Sequence, residues 1–222
     1  FFVDTTSPLI MINAPISDFF GAAAPDFDVT ITELNFDASW YTLNYGDIIT
    51  FTGDTGTINQ TKWGMEGDGP VYISFYVRDT GGLMGHAEVT VYKDTTAPSS
   101  SIYFVPYQLP NIVNKSTTFR LDADDGTGSG VSVIRYKIND SSWSDYSVSF
   151  DLSSYEPGHY LISYYSVDNI GNIELENSIE VILLKKPSKP PAIHGFEIFL
   201  IISLICIVSI IAYKRRYKSI NY

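Results

Sequence analysis

The side chains best equipped for chemistry in this sequence are carboxylates. Asp122, Asp124 and Asp125 crowd into LDADDGTGSGV, a Gly-rich acidic loop that could offer oxygen ligands to calcium. The spacing is not that of an EF-hand. Counted from Asp122, position 12 is Val133 where a bidentate Glu is required, and the glycine falls at position 5 rather than 6. The same residue types also build a solvated turn between strands, so a calcium loop and a plain turn both stand. Asp4, Asp79, Asp94 and Asp168 recur at equivalent points of the chain and admit two readings as well. They could bridge neighbouring units through a cation, or cap turns by hydrogen bonding to nearby backbone.

Other groups offer less. Asn59, Asn114 and Asn139 each open an N-x-S/T sequon without proline, NQT, NKS and NDS, and are glycan acceptors on an exported chain. Trp40, Trp63 and Trp143, with 16 Tyr, could form a sugar-stacking platform or simply fill cores and cover strands. His86, His159 and His194 lie far apart without ligand spacing, and Cys206 is the single cysteine. A histidine-built metal site, an intrachain disulfide and an iron–sulfur cluster are therefore not expected. No Ser/His/Asp grouping stands out, and no carboxylate pair can be singled out for hydrolysis. The expectation is a non-enzyme with no resident cofactor, calcium being the one candidate ion.

Charge separates the chain into two parts. Residues 1–184 hold 7 Lys+Arg against 24 Asp+Glu, whereas residues 185–222 hold 7 against 1. The acidic front repels phosphate backbones, so nucleic acid is not an expected partner.

The elements that must position these groups read as strands. Val71, Ile73, Phe75 and Val77 alternate with Tyr72, Ser74, Tyr76 and Arg78, the period of a strand with one buried face. Phe27, Val29 and Ile31 repeat the pattern, as do Ile134, Tyr136 and Ile138. Gly, Asp, Asn and Pro clusters separate such runs, giving about seven short strands per unit, and no helical stripe precedes residue 193. VDTTSP at Val3–Pro8 recurs as KDTTAP at Lys93–Pro98, an offset of 90 residues. FYVRDTGG and YYSVDNIGN place Asp79 over Asp168, each ahead of a Gly-bearing turn suited to a tight hairpin. A 90-residue period is that of one β-sandwich. The fold class expected is all-β, with sandwiches at 1–93 and 94–184. By the same repeat, Phe1–Val3 reads as the end of a strand from a missing upstream unit, and the chain as part of a longer or matured protein.

The rear differs in kind. KKPSKPPAIHG, residues 185–195, has three prolines and reads as a short stiff stalk. FEIFLIISLICIVSIIAY, residues 196–213, has one charge, Glu197, and would reach ~27 Å as a helix, close to the ~30 Å hydrocarbon layer. The basic tail at 214–222, KRRYKSINY, follows it directly. That order predicts a single-pass transmembrane helix with the tail cytoplasmic and residues ahead of the stalk extracellular.

ASWYTLNYGDIITFTGDTGTINQTKW, followed by YISFYVRDTGGLMGHAEVTVYKDTTAP, resembles the immunoglobulin-like repeats of archaeal and bacterial cell-surface proteins. SGVSVIRYKINDSSWSDY with GHYLISYYSVDNIGN resembles a sister class of extracellular repeats of the OmpL47 type. His194–Phe196, HGF, resembles a PGF-type archaeal sorting sequence in which His replaces Pro, so a retained anchor is expected. The resemblance implies two tandem Ig-like sandwiches on a stalk and membrane anchor, acting as spacer, adhesion or surface-structure modules with protein or glycan partners. The alternative is the non-catalytic tail of a surface protease or glycosidase whose active site lies upstream.

Overall fold

Alternation of apolar and polar residues sorts this chain into strands with one face inward, and turn residues fix where each strand stops. The computed structural model describes residues 5–107 and 109–185. The expected anchor at 196–213, the tail at 214–222, nearly all of the stalk, and Phe1–Asp4 lie outside the described residues. Among the described residues no helix is long and apolar enough to cross a membrane.

The first half contains β1 (Leu9–Ala14), β2 (Phe19–Phe20), β3 (Asp26–Thr32), β4 (Phe36–Leu43), β5 (Ile49–Thr50) and β6 (Thr55–Thr57). The helix α1 (Gln60–Met65) and the long strands β7 (Gly69–Asp79) and β8 (Met84–Lys93) complete it. One sheet runs β1-β3-β6 and the other β2-β8-β7-β4-β5. Val71, Ile73, Phe75 and Val77 of β7 point between them and meet Phe27, Val29, Tyr41 and Val91 in one closed core. Phe27, Tyr41, Phe51 and Phe75 pack ring against ring there, with centroids 5.1–6.2 Å apart.

The second half repeats the plan. It holds β9 (Ser99–Tyr103), β10 (Ile112–Val113), β11 (Thr118–Asp124), β12 (Val131–Ile138), β13 (Ser144–Asp145), β14 (Phe150–Asp151), β15 (Gly158–Asp168) and β16 (Asn177–Leu183). Its sheets run β14-β11-β9 and β10-β16-β15-β12-β13, the same orders as in the first half when corresponding strands are matched. Phe119, Leu152, Ile162, Val181 and Leu183 form a second, separate core. Glu174 fastens it. Its carboxylate accepts from Ser100 N–H and hydroxyl, Ser166 N–H and hydroxyl, and Asn177 Nδ2, joining β9 of one sheet to β15 of the other.

Each half has eight strands rather than about seven. The additional ones, such as β2, β10 and β13, are two residues long and pair only at an edge. Two residues are too few to show a period. The short helix α1 arises from local capping: the Asn59 side chain accepts from Lys62 N–H at its N-terminus.

Candidate functional site

The chain passes from one sandwich to the other through Asp94–Pro98, and this passage is where its acidic side chains converge. On the first sandwich, Lys93 ends β8 with its ammonium buried, donating to the carbonyls of Trp63 at 2.9 Å and Glu66 at 2.6 Å. Those carbonyls lie at the C-terminal end of α1, where a cation is favoured. Trp63, 0% exposed, donates its indole N–H to Gly21 O at 3.0 Å and so pins the β2–β3 loop to the same place.

The linker is stapled to this base. Asp94 is 2% exposed; its own N–H donates to Phe20 O at 2.9 Å. Asp68 accepts from Thr95 N–H at 3.0 Å, Thr95 hydroxyl at 2.8 Å and Thr96 hydroxyl at 2.7 Å. Burial pushes the Asp68 carboxyl up, but the hydrogen bonds from Thr96 and Thr95 and the charge of Lys93 outweigh it and hold the group below its ordinary value.

The second sandwich grips the same linker with two loops. In the β11–β12 loop, Ser129 N–H donates to Asp94 Oδ2 at 2.7 Å, and Gly130 N–H donates to Asp125 Oδ2 at 2.7 Å. A Cβ on Gly128 would stand 2.8 Å from Asp94 Oδ2 and 2.5 Å from Asp125 Oδ2, so this close approach needs glycine. In the turn after β15, Asp168 Oδ1 accepts from the N–H groups of Ile170, Gly171 and Asn172, and its Oδ2 accepts from Asn172 Nδ2. Asn172 Nδ2 also reaches Asp94 O at 3.3 Å. The two loops are themselves joined, Asn169 donating through its N–H to Gly130 O and through Nδ2 to Ser129 O.

The result is a group of three carboxylates, Asp94, Asp125 and Asp168, each offering one oxygen with all three within 4.8 Å. Asp94 and Asp125 border a cleft with Asp68, Lys93 and Thr96. Such oxygens suit a hard cation such as calcium, which takes 6–8 oxygen ligands in all. Burial raises the Asp125 carboxyl, the Gly130 N–H lowers it, and the charges of Asp94, Asp168 and Asp124 raise it again, for a net upward shift.

The sequence had placed Asp125 with Asp122 and Asp124. Those two lie outside the group within 4.8 Å. Arg120, Asp122 and Asp124 share the outer face of β11, where Asp122 is paired with Arg120 at 3.1 Å. Asp124 Oδ1 accepts from Gly126 N–H at 3.1 Å, and only Asp125, past the strand end, turns toward the junction. Of the recurrent aspartates, Asp94 and Asp168 meet, Asp79 sits at the β7–β8 hairpin of the first sandwich, and Asp4 lies outside the described residues.

The remaining candidates are dispersed. Asn59 caps α1 and is exposed; the Asn139 side chain, also exposed, accepts from Leu161 N–H at 2.8 Å; Asn114 is half-buried and accepts from Ser116 N–H at 2.9 Å. The three tryptophans do not share one platform. Trp63 is core, Trp40 stacks on Tyr76 at 5.6 Å on the outer sheet face, and Trp143 meets Tyr165 edge-on at 4.7 Å in the second sandwich. His86 lies against Tyr76, and His159 Nδ1 is 2.8 Å from Glu180. Cys206 and His194 fall outside the described residues. Asp68, Ser129 and Asn172 were not singled out in the sequence. Only the offset that aligned Asp79 with Asp168 pointed toward this turn, and nothing in the spacing marked Asp68.

No family model matches this chain, and no curated protein matches it. Among solved structures it is similar to the fibronectin(III)-like modules of Clostridium thermocellum CbhA, at 11% identity and TM-score 0.37, covering 84% of this chain and 100% of that one. It is similar to a 1.5-MDa bacterial ice-binding adhesin at 15% identity and TM-score 0.45, covering 81% of this chain and 65% of that one. It is also similar to a Ca2+-stabilized adhesin of an Antarctic bacterium at 15% identity and TM-score 0.45, covering 83% of this chain but only 51% of that one.

Proposed function

We propose that the chain is the membrane-proximal part of a cell-surface protein, in which two Ig-like β-sandwiches act as a stiff acidic spacer rather than as a catalyst. The observation that carries this reading is the joint at Asp94. Linker side chains and backbone are hydrogen-bonded to the first sandwich through Asp68 and Phe20, and to the second through Ser129 and Asn172. A flexible tether would leave such groups in water; holding them fixes the direction in which the second module leaves the first. An acidic, disulfide-free surface suits a hydrated exterior, and the apolar run at 196–213 with its basic tail supports a single-pass anchor with the sandwiches outside.

Treatment of intact cells with a membrane-impermeant amine reagent tests the topology. Lys115, which is exposed, is expected to be labelled while Lys214 and Lys218 are not. Labelling confined to the C-terminal lysines, or absent until the cells are broken, would contradict it.

A further inference from the structure

We infer that the pole of the first sandwich opposite the Asp94 joint is itself a docking surface, shaped for the strand-end face of another sandwich in the same polypeptide. The joint at Asp94 is head-to-tail. Its second member contributes the β11–β12 loop and the turn after β15, and its first contributes the end of β8 with Phe20 and Gly21. A head-to-tail contact uses two different patches and does not close on itself, so a module that repeats the fold carries both patches.

In the first sandwich the patch equivalent to the gripping loops is the β3–β4 turn with the β7–β8 hairpin. Register brings them to one end: Leu9 pairs with Thr32, Phe36 with Asp79, and Arg78 with Met84, while Thr80 N–H donates to Asn35 O. That end carries Leu34 at 100% exposure with Leu9, Phe36 and Met84 also exposed, four large apolar side chains brought to one pole of an acidic module. Clustered exposed apolar residues mark interaction sites. At the matching pole of the second sandwich Ile170 is half-buried, its Cδ1 3.8 Å from where a Cβ on Gly21 would stand. A carboxylate tells the same story. Asp168 has donors on both oxygens, Oδ2 accepting from Asn172 Nδ2 of its own turn, which also reaches the linker carbonyl of Asp94. Asp79, its counterpart, is buried, and among the described residues its Oδ2 has no hydrogen-bond partner. A docked module would cover the apolar residues and supply a donor there.

The chain's three methionines make the test. Met84 lies at this pole, while Met11, on β1, and Met65 do not, and all three are exposed. Peroxide oxidation is followed by mass spectrometry in the 222-residue chain and in the protein purified from its own cells. Met84 is expected to oxidise about tenfold more slowly in the latter, equivalent to ~1.4 kcal/mol of docking, with Met11 unchanged. Leu34→Glu in the cell-derived protein is expected to restore Met84 oxidation. Equal Met84 rates in the two preparations overturn the proposal. So does protection that vanishes on dilution, which assigns the pole to a separate protein, or protection that grows with concentration of the 222-residue chain alone, which assigns it to a second copy.

Discussion

Replacing Asp68 with alanine isolates the linker staple from the folding of either core. The exposed carboxylate accepts three hydrogen bonds, from Thr95 N–H, Thr95 hydroxyl and Thr96 hydroxyl, and it takes part in neither apolar cluster. A net ~0.5–1.5 kcal/mol per bond, reduced for solvent screening, gives a total of roughly 1–3 kcal/mol. Opening of the linker should therefore become roughly 5- to 150-fold more frequent. Amide hydrogen exchange reads this directly: the Thr95 N–H should exchange faster by that factor, while the amide of Val77 in the core strand β7 stays as in the wild type. Acidity supplies an independent arm. The folded Asp68 carboxyl lies below its ordinary value of 3.8, so its stabilisation is complete above that value and is lost as pH falls through the folded value. Wild-type exchange at Thr95 should then approach that of Asp68→Ala in acid. Unchanged Thr95 exchange in Asp68→Ala at neutral pH would refute the staple.

Glu174→Ala should destabilise the second sandwich by more than ~3 kcal/mol in urea unfolding, because the N–H and hydroxyl groups of buried Ser100 and Ser166 lose their acceptor. Burial raises the Glu174 carboxyl, but the bonds from Ser100, Ser166 and Asn177 outweigh it and leave the group below its ordinary 4.5, so this stability too is lost as pH falls through the folded value. Asp125 has the opposite sign. Its folded value is raised, so its ionisation costs stability as pH rises from the ordinary 3.8 through the folded value, and Asp125→Asn should be more stable than the wild type at pH 7 in thermal unfolding. Trp63→Ala should cost ~3–5 kcal/mol by calorimetry, since a fully buried ring and its bond to Gly21 O are both lost.

Much of this architecture could be read from residue order. The alternation through Val71–Val77 placed β7 and its buried face, and the second DTTxP segment falls in the passage between β8 and β9. Both rest on local geometry, a two-residue pleat and a proline that cannot join a ladder. The junction was only half legible. Asp94 and Asp168 showed themselves by recurrence, whereas the contacts of Asp94 with Ser129 and of Asp68 with Thr95 span 35 and 27 residues with no period to reveal them. Neighbours in sequence part in space: Asp122 and Asp124 adjoin Asp125, but the pleat sends them to the outer face of β11 while the loop carries Asp125 inward toward Asp94. Trp63 reads alike as a surface ring or a core ring until the loop that covers it, held by Gly21 O, is known.

Whether the two sandwiches move as one body can be measured by pulsed electron resonance between spin labels at Thr32→Cys on β3 and Ser178→Cys on β16, both exposed strand positions, with Cys206→Ser removing the native thiol. A spacer stiffened at Asp94 gives one narrow distance that broadens when Asp68→Ala is added. A broad distribution in the otherwise native chain, unaltered by Asp68→Ala, would show two modules on a loose tether and contradict the account.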